Sequence, residues 1–205
     1  MTKRMTQEER RAETSERLIA TGISLVARRG LASVTTKTIA QEAGITWGAA
    51  QYLFGNKIGF LTSLGRRLLE DLKNQAPIPG RAASSVRAGL ETFVWSVWCS
   101  YSSPSYIAWI ELVRGSRGDR EMRDALKVMQ NDYIDHISAL WHATVPHGTA
   151  GAPNEIIMHH IVLTLSGLAA RRIFLHDEIA ENEHIHLCID MAVRMVMEKT
   201  QVSGS

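Results

Sequence analysis

The sequence predicts an all-α protein, a small three-helix head joined by a linking helix to a larger helical body. Three observations lead to that class. Apolar residues recur at three- and four-residue spacing in segment after segment. The two-residue alternation of a half-buried strand is missing throughout. One stretch, Thr36 to Leu53, carries the pattern of two short helices meeting at a tight corner.

The chain opens on a charged stretch, Met1 to Arg10, without apolar periodicity, so a disordered start is expected over about residues 1–12. Leu18, Ile19, Ile23, Leu25 and Val26 then repeat at helical spacing, and Arg28-Arg29-Gly30 ends that helix with cations in its last turn and a glycine beyond. Thr35 is a suitable N-cap for the second helix, Thr46 for the third and Asn56 for the fourth. At the corner between the second and third, Gly44 tolerates a positive φ. Ala40 and Ala50 are small enough for the two helices to touch, and Ile39, Ala43, Ile45 and Leu53 form the buried side. That leaves Lys37, Thr38, Thr46, Trp47, Ala49, Gln51 and Tyr52 free to face a partner. In a helix-turn-helix the second helix of the pair enters the DNA major groove.

The fourth helix, Lys57 to about Lys73, lines up Phe60, Leu61, Leu64, Leu68, Leu69 and Leu72, and Ala76-Pro77-Ile78-Pro79-Gly80 stops it. The expected division is a head over residues 1–57 and a body over 58–205, with helix 58–73 as the link. Further helical patterns run over about 81–101, 105–115, 119–143, 153–175 and 183–199, with loops at Ser102-Ser103-Pro104 and between Pro146 and Pro153.

Apolar residues make up 45% of the 205, enough for a real core, and no apolar run reaches the ~20 residues of a membrane span. The N-terminus lacks the apolar segment of a secretory signal, and the two cysteines, Cys99 and Cys188, fit a reducing cytoplasm. Net charge is only +2, but its distribution is uneven. Through Lys73 there are twelve basic and seven acidic side chains, a net +5, which leaves −3 for the rest. A basic head on a slightly acidic body suits phosphate binding at one end.

Thr35-Thr36-Lys37-Thr38-Ile39-Ala40-Gln41-Glu42-Ala43-Gly44-Ile45-Thr46-Trp47-Gly48 and Phe54-Gly55-Asn56-Lys57 resemble the N-terminal motif of the TetR family of bacterial transcriptional regulators. The resemblance covers residues ~14–61, the span of a helix-turn-helix head and its linking helix. Beyond that the chain is similar only in length and helical character. The resemblance implies a homodimer, a C-terminal ligand-binding and dimerisation domain, and release from operator DNA when ligand binds. It also implies that Thr36 and Lys57 grip backbone phosphates with Lys37 nearby, while Thr46, Trp47, Gln51 and Tyr52 lie on the groove-facing helix. These residue types have the right chemistry, since hydroxyls and ammonium groups bind phosphate and Gln pairs with adenine. Two positions depart from the pattern. Gln51 stands where many members carry an aromatic used against a phosphate, a role the resemblance passes to Tyr52 directly after it, and Ile58 stands where an acid often follows the lysine.

In the body, Trp95, Trp98, Trp109 and Tyr133 are the expected walls of a pocket for an apolar or aromatic small molecule, with Ser96, Ser100 and His136 as polar handles. Trp95, Trp98 and Tyr101 cannot share one narrow helix face, because three-residue steps drift around the axis. The last two helices are apolar over so wide an arc that each must be covered on more than one side. Ile161, Leu165, Leu168, Ile189, Val193 and Val196 are the expected dimer contacts, and two-fold symmetry would match a palindromic operator with half-sites ~34–36 Å apart. His184 and Cys188 share a helix face four residues apart and are the strongest metal-ligand candidates, but their surroundings match no metal motif and no metal or other cofactor is expected. No nucleophile elbow, phosphate loop, dinucleotide fingerprint or His-Glu-x-x-His occurs, so the chain does not read as an enzyme. The alternatives are a DNA-binding regulator or architectural protein without small-molecule control, or a metal sensor through His184 and Cys188.

Overall fold

The computed structural model describes residues 6–81, 83–146 and 155–202, with the side chains of 198–202 left aside. Among the described residues the regular structure is helical: α1 (Gln7–Arg29), α2 (Thr36–Glu42), α3 (Trp47–Phe54), α4 (Lys57–Gln75), α5 (Val86–Tyr101), α6 (Pro104–Gly115), α7 (Arg120–Thr144), α8 (Glu155–Arg172) and α9 (Glu178–Val202). Two short 3₁₀ turns follow α1 and α6.

α1 begins at Gln7, inside the stretch expected to lack regular structure. The reason is a reciprocal cap. Thr6 Oγ1 accepts the Glu9 N–H at 3.1 Å, and Glu9 Oε2 accepts the Thr6 N–H at 2.7 Å, which satisfies two amides that would otherwise need water. Residues 1–5 lie outside the described residues, as do 147–154, most of the expected loop between Pro146 and Pro153. α5 starts at Val86 rather than near 81 because Ser85 caps it through the Ala88 N–H. Pro104, expected in a loop, is the first residue of α6, where its missing N–H costs nothing. α9 starts five residues early, at Glu178, behind an Asp177 cap on the Ala180 N–H.

The described chain forms two compact units, and they do not follow chain order. One is Met1–Asp71 with Pro104–Gln130; the other is Leu72–Ser103 with Asn131–Ser205. In the first, Leu18, Leu25, Ile39, Phe60, Leu64 and Leu68 make the core of the helix-turn-helix head. α6 packs on α1 in the same unit, and the half-buried Glu111 carboxylate accepts the Leu31 N–H at 3.2 Å. Gly22 lets α4 approach α1, since a Cβ there would stand 2.7 Å from Leu64 Cδ1. In the second unit α5 packs on α8 and α9, which also pack on each other. Phe93 meets Trp141 edge to face at 5.0 Å among Leu90, Val97, Leu140 and Ile157.

Candidate nucleic-acid interface

Three short polar side chains fix the start of the helices around the corner. Thr35 Oγ1 accepts the Thr38 N–H at 3.1 Å, Thr46 Oγ1 accepts the Ala49 N–H at 3.3 Å, and Asn56 Oδ1 accepts the Gly59 N–H at 2.8 Å. All three caps are neutral, and the first turns of α2, α3 and α4 contain no acid. The corner closes through the Ile45 N–H, which donates to the Ala40 carbonyl at 2.9 Å, and Gly44 sits there at φ 66°. Ile39, Ala40 and Ala50 are buried, while Ala43, Ile45 and Leu53 are half-covered.

This packing turns one side of α3 outward. Lys37, Thr46, Gln51 and Lys57 are exposed, Thr36 is half-buried, and Tyr52 is 72% exposed. Trp47, at 38%, leans partly onto the head. It borders a small hollow together with Thr36, Gln51 and Asn56, so the starts of α2 and α4 meet α3 at one place. Thr36 and Lys57 also border a broader depression that includes Arg114 and Glu111 of α6.

One basic residue of this region carries no signal in the helix-turn-helix motif itself. The Arg11 guanidinium of α1 lies over the Tyr52 ring, 5.1 Å from its centroid. The Thr6-x-x-Glu9 pattern is the signal that places Arg11 on a helix. Arg67, by contrast, is consumed internally: its hydrogen bonds to Asp71, and then to Glu16, hold the guanidinium above its ordinary pKa.

The four expected pocket residues fall in different surroundings. Trp109 lies in the first unit, buried, with its indole N–H on Gln130 Oε1 at 3.0 Å. The other three are in the second. Trp98 is buried with the Arg172 guanidinium 6.0 Å over its ring, and Trp95 is half-buried against His186. The buried Tyr133 hydroxyl pairs with Ser100 Oγ at 3.1 Å, and its ring stacks on His136, whose Nε2 lies 2.9 Å from the Ala76 carbonyl. Trp141 is fully buried, and its indole N–H has no acceptor among the described residues.

The residues expected as dimer contacts point mostly inward. Ile161, Leu165, Leu168 and Ile189 are buried by the chain's own helices, and Val193 and Val196 are half-buried. The exposed apolar face of α8 and α9 is carried instead by Ile156, Leu163, Leu187 and Met191. Both helices are apolar over a wide arc, so the pattern alone could not tell the inward part of it from the outward one. Between them runs a groove lined by His160, Thr164, His184, Cys188 and Met195. Burial pushes the Cys188 thiol above its ordinary pKa. No cluster of three or more His, Cys, Asp or Glu suited to a metal ion occurs among the described residues.

A helix-turn-helix head in an all-helical chain of this length defines the class, and solved structures share it. A TetR-family transcriptional regulator from a Rhodococcus species matches with a TM-score of 0.68 at 16% identity, over 88% of this chain and 98% of its own. The multidrug-binding protein EbrR, solved with imidazole, matches at 0.58 and 15% identity, over 89% and 94%. NalD of Pseudomonas aeruginosa, the secondary repressor of the MexAB-OprM multidrug efflux pump, matches at 0.54 and 14%, over 91% and 96%. No family model matches the sequence, and no curated protein does. The protein therefore has the fold of the TetR-family regulators.

Proposed function

We propose that this chain is a DNA-binding transcriptional regulator that acts as a homodimer and represses from a palindromic operator. The observation that carries the reading is the outward side of α3, where Thr46, Trp47, Gln51 and Tyr52 stand exposed between Lys37 and Lys57 on helices with capped, acid-free starts. Residues 1–57 serve as the DNA-binding head and 58–205 as the ligand-binding and dimerisation body, with α4 as the link. Lys57, Thr36 and Lys37 hold phosphates; Thr46, Trp47 and Gln51 read base edges.

The effector is an apolar or aromatic small molecule held in the second unit, where Trp95, Trp98 and Tyr133 supply aromatic surface. The fully buried Trp141 N–H, without an acceptor among the described residues, supports a ligand that carries a hydrogen-bond acceptor. Such a ligand acts by preferring the conformation that cannot bind DNA, and its leverage equals its differential affinity for the two states. The second copy covers the apolar face of α8 and α9. No described helix is long and apolar enough to cross a membrane, and the site of action is the cytoplasm.

Selection of bound duplexes from a random-sequence pool tests the reading directly. Enrichment of an inverted repeat is expected; failure to bind any duplex would overturn it. Lys57→Ala should then weaken every sequence alike and flatten the salt dependence by about one unit of slope.

A further inference from the structure

Arg11 differs in what holds it from the arginines that pair with a carboxylate. Arg67 pairs with Glu16 and Asp71, Arg87 with Asp190, Arg114 with Glu111 and Arg120 with Asp124. Among the described residues no carboxylate pairs with Arg11; the face of Tyr52 holds it. The two supports have opposite electrostatic outcomes. A carboxylate cancels the guanidinium charge and occupies its N–H edge, whereas an aromatic face positions the ion and leaves both charge and edge available. Here the ring belongs to the recognition helix and is itself 72% exposed, so the phenol hydroxyl opens to solvent beside a positioned cation. Glu8 borders the same shallow depression as Arg11 and lowers the local potential without pairing with the guanidinium.

We infer that Arg11 and Tyr52 form one phosphate clamp at the edge of α3, so that α1 contributes to the grip on duplex DNA. The inference rests on the DNA-binding reading and adds Arg11 of α1 to Tyr52 as a joint backbone contact. The guanidinium supplies charge and N–H donors, the phenol supplies an O–H donor, and the stacking keeps both ready for one phosphodiester.

The test uses the full chain and random-sequence duplex DNA, because phosphate contacts carry no sequence information. Binding constants are measured across a salt series for the wild type, Arg11→Gln, Arg11→Lys, Tyr52→Phe, Tyr52→Leu and the Arg11→Gln/Tyr52→Leu pair. Arg11→Gln should lower the salt slope by about one. Arg11→Lys should keep the slope but lose the coupling to the ring. Tyr52→Phe should bind more weakly than wild type with the slope intact. In the Tyr52→Leu background the loss from Arg11→Gln should shrink by roughly threefold or more, as expected for residues in contact. Thermal melts of all variants should match the wild type, since both side chains are at the surface. Wild-type slope in Arg11→Gln, or losses that simply multiply, would overturn the clamp while wild-type binding leaves the regulator reading standing. A wild type that binds no duplex removes both.

Discussion

Gly44 and Gly48 stand four residues apart and make opposite demands on the backbone. Gly44 turns the corner at φ 66°, and a Cβ there would meet nothing within 4 Å. The cost of Gly44→Ala is therefore conformational alone, about 1–2 kcal/mol. Gly48 lies within α3 at an ordinary helical φ, and its Cβ position is also open. Gly48→Ala should stabilise the fold by about 0.5–1 kcal/mol, because alanine loses less backbone entropy in a helix. Urea denaturation of the two variants should move in opposite directions. Gly48 also lies on the exposed side of α3, the proposed recognition helix, so the added methyl should weaken duplex binding even as the fold gains. Unchanged binding in that sturdier variant would mean that α3 does not approach DNA closely.

Between elements, contact geometry decides what a residue type cannot. α5 crosses the end of α7 at Gly89, where a Cβ would collide with the Thr144 carbonyl oxygen and stand 3.0 Å from Pro146 Cδ. Gly89→Ala should lower stability by about 1–3 kcal/mol in thermal melts, against the usual helix preference for alanine. A neutral result would show that the crossing has slack. That glycine was invisible in the sequence, since its demand comes from a residue far along the chain. Local chemistry was legible by comparison: Thr35, Thr46 and Asn56 each cap the helix their residue type suggests, and Gly30 ends α1 at φ 71°. The start of α1 was missed because charge outweighed the Thr6–Glu9 pattern, and Arg11 was lost with it. The outward face of α8 and α9 was illegible for another reason. Ile161 and Leu163 are chemically equivalent, and only the positions of α5 and α9 select which is covered.

For the whole molecule, the exposed Leu163 and Met191 mean that the proposed dimer would rest on apolar area rather than on paired charges. A second copy that covers this face removes it from water, at roughly 25 cal/mol for each Å² buried. Leu163→Asp combined with Met191→Asp should convert the dimer to a folded monomer, read as a halved mass in sedimentation equilibrium with an unchanged helical spectrum. The monomer should keep weak salt-sensitive DNA binding and lose affinity for paired half-sites, since the two heads are then no longer joined. A wild-type mass that is already monomeric at micromolar concentration would sink the dimer.

The acid-free starts of α2, α3 and α4 carry a further consequence. α1, α7, α8 and α9 begin with glutamates in the first turn, which neutralise the electropositive helix end and add about 0.3–1 kcal/mol each. α2, α3 and α4 forgo that gain, as do α5 and α6. Engineering that rewards heat resistance would fill those turns with aspartate and glutamate, and the toughest progeny of such a campaign should be the ones that have forgotten how to hold a nucleic acid.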